Sequence, residues 1–220
     1  DIAIDLNGYT KNNRMNIFSY RVAAIQINYL GYPGSVGSEK INYIIADKIT
    51  IPNRYQTFYS EKIITMPNCF LCNDDTKEIC KEPISRKDFD LPENAFVFTC
   101  FCANKKITPK EFNIWMRLLT KIKGSVIWLY KSNKYSADNL IREAENRNVD
   151  PKRLIFANKL PLLKKHLARY SLGDLGLDTF NYNGHTTTSD ALWSGLPVLT
   201  KMGKGFASRV SASLLTSLGL

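Results

Sequence analysis

From residue 95 to the end of the chain, short apolar runs alternate with segments whose apolar residues recur at helical spacing, and few architectures tolerate that rhythm. The runs "AFVFTCF" (95–101), "SVIWLY" (125–130), "RLIFA" (153–157), "LGLDTF" (175–180) and "PVLTK" (197–201) read as strands. Segments 108–122, 136–148, 160–171, 187–195 and 206–220 read as helices. The first of these opens with Thr108-Pro109 and sets Phe112, Trp115, Leu118 and Leu119 on one face; the second has Ser136 as its cap. Strands this short and apolar, each followed by a helix, are covered on both faces, which predicts a doubly wound parallel sheet. Ligands of such sheets bind beyond the carboxyl ends of the strands, here the loops after 95–101, 153–157 and 175–180.

The first part of the chain repeats the theme less regularly. Segments 2–6, 25–30, 43–47 and 62–66 read as strands, with the glycine-rich loop "LGYPGSVGS" (30–38) after the second. This is the later part of another α/β unit, and polar, irregular 73–94 is the candidate linker. The chain opens at Asp1 and stops inside a helical pattern, which predicts a fragment cut at both ends.

Composition narrows the function classes. Apolar residues make up 44% of the chain, enough for real cores, while no apolar run approaches the roughly 18 residues that cross a bilayer. The net charge of +10 suits an anionic partner. The lysines are scattered, however, and no basic stripe is interleaved with stacking aromatics, which argues against nucleic acid. Five cysteines without a secretory signal predict buried free thiols and a cytoplasmic setting. Cys69 and Cys72 have a metal-like spacing, but neither His166 nor His185 is near a cysteine in sequence, so no metal site is expected.

The stretch "NYNGHTTTSDALWSGLPVL" (181–199) bears most directly on chemistry. Gly184 lets backbone lie close to a neighbour, and Thr186 and Thr187 stand where a helix begins. The first amides of a helix have no internal acceptors and the dipole is positive there, so this is a phosphate site in prospect. The alternative is purely local: the threonines cap the helix, Asp190 completes a capping box and His185 is a loop histidine.

Four ordered stretches carry a family resemblance: "DLNGYT" (5–10), "IQINYLGYPGSVGS" (25–38), "FCANKKITPKEFNIWMRLL" (101–119), and "NYNGHTTTSDALWSGLPVLT" with "GFASRVSASLL" behind it. Together they closely resemble the catalytic region of the O-GlcNAc transferase family, the protein O-linked N-acetylglucosaminyltransferases and SPINDLY-like proteins. The resemblance implies a GT-B fold of two Rossmann-like lobes. Residues 1–88 would be the C-terminal part of the first lobe; 89–220 would be most of the second, UDP-binding lobe, truncated at its C-terminus.

It also implies inverting transfer of N-acetylglucosamine from UDP-GlcNAc to Ser or Thr hydroxyls of proteins, without metal or other cofactor. By resemblance, Lys106 contacts the diphosphate and, with His185, is catalytic; Thr186 and Thr187 lie by the phosphates and Asp190 on the nucleoside side. His166 packs on uracil, Arg169 belongs to the same base pocket, and Leu30, Gly31 and Pro33 approach the donor sugar. The partners implied are a UDP-sugar and a protein acceptor, with neither nucleic acid nor membrane, and the parent protein carries tetratricopeptide repeats. Ala103, where the family has an amide, and Leu162, where animal enzymes have lysine, depart from the pattern. A UDP-glucose donor and a non-catalytic UDP-binding module are the alternative readings.

Overall fold

The computed structural model describes residues 1–220. They form two compact units, Asp74–Lys201 and the pair of segments Asp1–Asn73 and Met202–Leu220.

The Asp74–Lys201 unit is built on five parallel strands: β5 (Val97–Cys100), β6 (Val126–Tyr130), β7 (Leu154–Ala157), β8 (Leu175–Leu177) and β9 (Val198–Leu199), in the order β7-β6-β5-β8-β9. Adjacent residues of one strand feed opposite cores, as a period of two requires. Phe98, Cys100, Ile127 and Leu129 pack with Phe112, Trp115, Met116 and Leu119 of helix α2 (Pro109–Lys121). Val97, Val126 and Trp128 pack on the other face with Tyr170, Ala191 and Leu196. Because β5 pairs with β6 on one side and β8 on the other, the strand order reverses there. That reversal opens a crevice at the carboxyl ends of β5 and β8.

The helices start and stop where local chemistry allows. In α2, Thr108 and Glu111 form a reciprocal capping box behind Pro109 at the first turn. Helix α3 (Lys134–Glu145) begins before the expected residue 136, because the Asn133 side chain, not Ser136, accepts the free amide, Ser136 N, at 2.8 Å. Helix α4 (Leu163–Ala168) is shorter than the expected 160–171: Pro161 holds the chain before it out of the helix, and Arg169–Leu172 tightens into a 3-10 turn. Helix α5 (Thr186–Trp193) follows the loop after β8.

The other unit carries a parallel sheet in the order β1 (Ile2–Asp5), β2 (Ile25–Asn28), β3 (Tyr43–Asp47), β4 (Lys62–Met66), with a short helix α1 (Asn16–Ser19) between β1 and β2. The expected helix 206–220 is a 3-10 turn, Phe206–Ser208, followed by helix α6 (Val210–Ser217), and it packs here rather than on the second sheet. Phe206 and Val210 join Ile44, Ala46, Ile51 and Phe70 in one core. Asp47, fully buried at the end of β3, accepts from Thr50 N at 2.7 Å, Phe70 N at 2.9 Å and Ser213 Oγ at 2.6 Å, fastening α6 to this sheet.

The 88/89 boundary expected from the sequence lies inside the Asp74–Lys201 unit. The segment read as a linker is, from Asp74 onward, a strap on that unit. Lys77 pairs with Asp190 at 2.9 Å, Cys80 N donates to Lys164 O at 3.0 Å, Arg86 pairs with Asp174 at 2.9 Å, and Phe89 meets the Trp128 ring edge-on at 5.3 Å.

Candidate functional site

The crevice is furnished by the turns that leave β5 and β8. After β5 the chain makes a 3-10 turn, Asn104–Lys106, held by the buried Asn104 side chain. Asn104 Nδ2 donates to Tyr130 O at 2.8 Å, and its Oδ1 accepts from Ser132 N and Ser136 Oγ. This fixes the backbone from which Lys106 extends.

The loop after β8 is organised by one carboxylate. Asp178, 3% exposed, accepts from Thr179 N at 2.8 Å and Gly184 N at 2.6 Å through Oδ1, and from Thr200 Oγ1 at 2.6 Å through Oδ2. It therefore closes residues 179–184 into a compact turn and anchors it beside β9. Asn183, fully buried, adds a bond to Thr179 O at 2.7 Å. At Gly184 a Cβ would lie 2.4 Å from Thr188 Oγ1 and 3.1 Å from Thr188 N, so the turn comes against the first turn of α5 only because no side chain intervenes.

Lys106 and His185 meet around this turn. Lys106 Nζ donates to Asn183 O at 2.9 Å and sits 4.0 Å from the centre of the Tyr182 ring, on which His185 stacks at 4.8 Å. Burial lowers the Lys106 pKa below the ordinary lysine value, opposed by Cys102 and Asp178. An ammonium has three donors; Asn183 takes one, leaving two for an anion.

The threonines do not cap α5. His185 holds the N-cap position, without a side-chain cap bond; Thr186 is exposed in the first turn, and the Thr187 hydroxyl lies 3.5 Å from Cys102 Sγ. Asp190 forms no capping box: it is buried and paired with Lys77.

A neighbouring pocket of about 340 Å³ gathers Phe101, Tyr130, Leu160, His166, Arg169 and Thr187 among its walls. His166 and Arg169 thus share one concavity, and Thr187 joins it to the first turn of α5. Arg169, 1% exposed, lies 4.3 Å over the Phe101 ring and donates to Asn158 O at 2.7 Å, while its Nε has no protein partner; burial brings its pKa down to about 10. The His166 ring stands 5.9 Å from Phe101 and 5.2 Å from Tyr170. Burial first, then the Arg169 charge, bring its pKa down to about 4 against the pull of Asp190, so the ring is neutral at pH 7. His166 lines that pocket, while His185 stacks on Tyr182.

Leu30, Gly31 and Pro33 lie in the other unit, on the loop after β2. Leu30 has φ 75°, and a Cβ on Gly31 would fall 2.3 Å from Leu6 O. Packing of this loop on the chain leaving β1 is therefore reason enough for the glycine, whatever ligand comes near it.

Sequence reasoning missed Asp178, Asn183 and Tyr182; the only signal was a carboxylate inside the apolar stretch 175–180 that reads as a strand. It also read all cysteines as buried, whereas Cys100 and Cys102 are buried and Cys72 is exposed, all five being free thiols. The Cys100 side chain holds the Cys102 thiol below the ordinary cysteine value through a hydrogen bond, against burial and the Asp178 charge. No three His, Cys, Asp or Glu side chains are grouped to hold a metal ion, and no helix is long and apolar enough to cross a membrane.

The chain as a whole has known relatives. The profile of glycosyl transferase family 41 matches residues 1–82 and 76–220. Two proteins of Arabidopsis thaliana, the probable UDP-N-acetylglucosamine–peptide N-acetylglucosaminyltransferases SEC and SPINDLY, are 36% and 33% identical over 225 and 228 residues. Each alignment takes in all of this chain and 23% or 24% of the relative, so the chain spans about a quarter of their length. An O-GlcNAc transferase mutant from Thermobaculum terrenum superimposes with a TM-score of 0.89 at 28% identity, over 100% of this chain and 41% of that one. The two parallel α/β units are thus of GT-B type. With the profile match running from end to end, the chain belongs to glycosyl transferase family 41.

Proposed function

We propose that this chain is part of an inverting glycosyltransferase that moves N-acetylglucosamine from UDP-GlcNAc to Ser or Thr hydroxyls of proteins. The observation that carries the reading is the arrangement at the ends of β5 and β8. A desolvated lysine with two spare donors stands beside the first turn of α5, and Thr187 links that turn to a pocket holding a neutral histidine and a buried arginine.

In this reading the diphosphate lies against Lys106, His185, Thr186 and Thr187. Charge growing on the departing UDP meets an ammonium that has already given up much of its water, so little reorganisation remains at the moment of bond breaking. The uracil ring packs on His166, whose neutrality spares the stack the cost of a buried charge, with Arg169 behind it and Asp190 toward the nucleoside. Leu30, Gly31 and Pro33 serve the donor sugar. Cations and helix amides take the place a metal would have on the leaving group, so the reaction is metal-independent. A cytoplasmic setting, a protein acceptor and tetratricopeptide repeats in the full-length protein belong to the same proposal.

The test is calorimetric titration of UDP in EDTA. The chain binds UDP, and Lys106→Ala and His166→Ala each weaken binding. In the full-length protein Lys106→Ala costs about 2–4 kcal/mol of transition-state stabilisation, read from kcat/KM. Unchanged transfer by the Lys106 variant would remove it from the mechanism, and equal inhibition by UDP-glucose and UDP-GlcNAc would reopen the donor assignment.

A further inference from the structure

A second concave feature lies wholly within the unit that carries β1–β4. Ser35, Tyr55, Phe58, Tyr59, Lys204 and Gly205 line a cup of about 530 Å³, well within the size range of ligand sites. Its floor and walls are aromatic: Tyr55 and Phe58 belong to the 3-10 turn Asn53–Phe58 with ring centres 6.2 Å apart, and Phe58 is left 76% exposed. Its charge is positive. Lys204 is exposed at the rim, the Arg54 guanidinium lies 5.0 Å from the Tyr55 ring centre, and neither takes part in an ion pair. Glu61 is 3% exposed and turned to internal work, accepting from Ser35 Oγ at 2.6 Å and Val36 N at 2.7 Å. Arg209, also beside Tyr55, is bound to Gly203 O and Ile49 O.

We propose that this cup docks an acidic polypeptide segment through one aromatic side chain. The ring would enter among Tyr55, Phe58 and Tyr59, and flanking carboxylates would face Lys204 and Arg54. Aromatic anchors in pockets carry a large share of the energy of protein interfaces, and the rim cations select the sign of the partner. A nucleotide is the poorer fit, because phosphate recognition calls for several convergent N–H donors, and the cup offers one ammonium in its walls, the hydroxyls of Ser35, Tyr55 and Tyr59, and one guanidinium that lies on the Tyr55 ring outside those walls. The loop that supplies Ser35 also carries Leu30, Gly31 and Pro33, so the docked segment is assigned to the acceptor protein. That last step rests on the function proposed above.

The experiment is fluorescence anisotropy with a labelled peptide bearing three glutamates on each side of a tryptophan, run beside two controls, one with alanine for tryptophan and one with lysine for glutamate. The Glu/Trp peptide binds saturably, both controls bind at least tenfold more weakly, and Phe58→Ser and Lys204→Glu each weaken the Glu/Trp peptide at least tenfold. Both positions are exposed, so the thermal melt and UDP calorimetry stay as in the parent chain. Equal binding of the alanine control, unaffected binding in both variants, or displacement of the peptide by UDP would overturn the proposal. Peptide binding that persists in a chain without UDP affinity would support the cup and overturn the nucleotide reading; UDP binding without peptide binding would overturn the cup alone.

Discussion

His166 and Lys106 show burial acting on two bases with opposite consequences. Both pKa values fall, but lysine starts so high that Lys106 keeps its proton, whereas His166 drops to about 4 and loses it. The histidine therefore writes a pH dependence into the fold. Unfolded histidine titrates near 6.5, so between pH 6.5 and 4 the unfolded chain takes up a proton that the folded chain refuses. Stability falls as pH drops through that window and levels off below it. The ring keeps some contact with water, and after that discount the effect is about 1–2 kcal/mol. His166→Phe should lose that much less than the parent between pH 7 and pH 4.5 in urea unfolding. Parallel losses in the two proteins would mean that the histidine is charged in the folded state or too wet to matter.

At the scale of elements, the site is a loop pinned at both ends by Asp178 and pressed on a helix by Gly184. Gly184→Ala sets a methyl group within 2.4 Å of Thr188 Oγ1 and 3.1 Å of a backbone nitrogen. The hydroxyl can rotate away but the backbone must shift, at a cost of about 1–3 kcal/mol. The expected result is a lower melting temperature with weaker UDP binding; a stable variant with full affinity would show that the loop has slack. The elements themselves are legible in the sequence, because Phe98/Cys100 and Val97 alternate at the strand period and Phe112, Trp115 and Leu119 recur at the helical one. The start of α3 was not, since Asn133 and Ser136 are both competent caps and only backbone geometry selects between them. Lys106, His185 and Thr187 could be placed near one crevice from their positions after strands. The Asp178 clamp was hidden: the sequence reads Asp178 inside the strand 175–180, whereas β8 ends at Leu177 and the carboxylate closes the turn that follows.

At the scale of the whole molecule, the chain leaves the first unit after Asn73 and returns to it at Met202. No local pattern announces this, because Phe206, Val210 and Leu214 are spaced to face either sheet and long-range partners decide. Those partners are Phe70, whose ring meets Phe206 edge-on at 4.9 Å, and Asp47, which accepts from Ser213. Burying Phe206 and Val210 contributes about 1.5–3 kcal/mol each as an upper estimate, and losing the Ser213 bond leaves one fewer donor on a buried carboxylate. Against a typical domain stability of about 5–15 kcal/mol, that sum is a large share. A chain ending at Lys201 should therefore show amide exchange at Ile44–Asp47 of β3 faster by a hundredfold or more, while Val97–Cys100 and Val126–Tyr130 exchange as before. Exchange mass spectrometry on the two lengths of chain makes the comparison directly. If β3 keeps its protection, the returning helix is an accessory; if β5 and β6 lose theirs as well, the two units unfold as one.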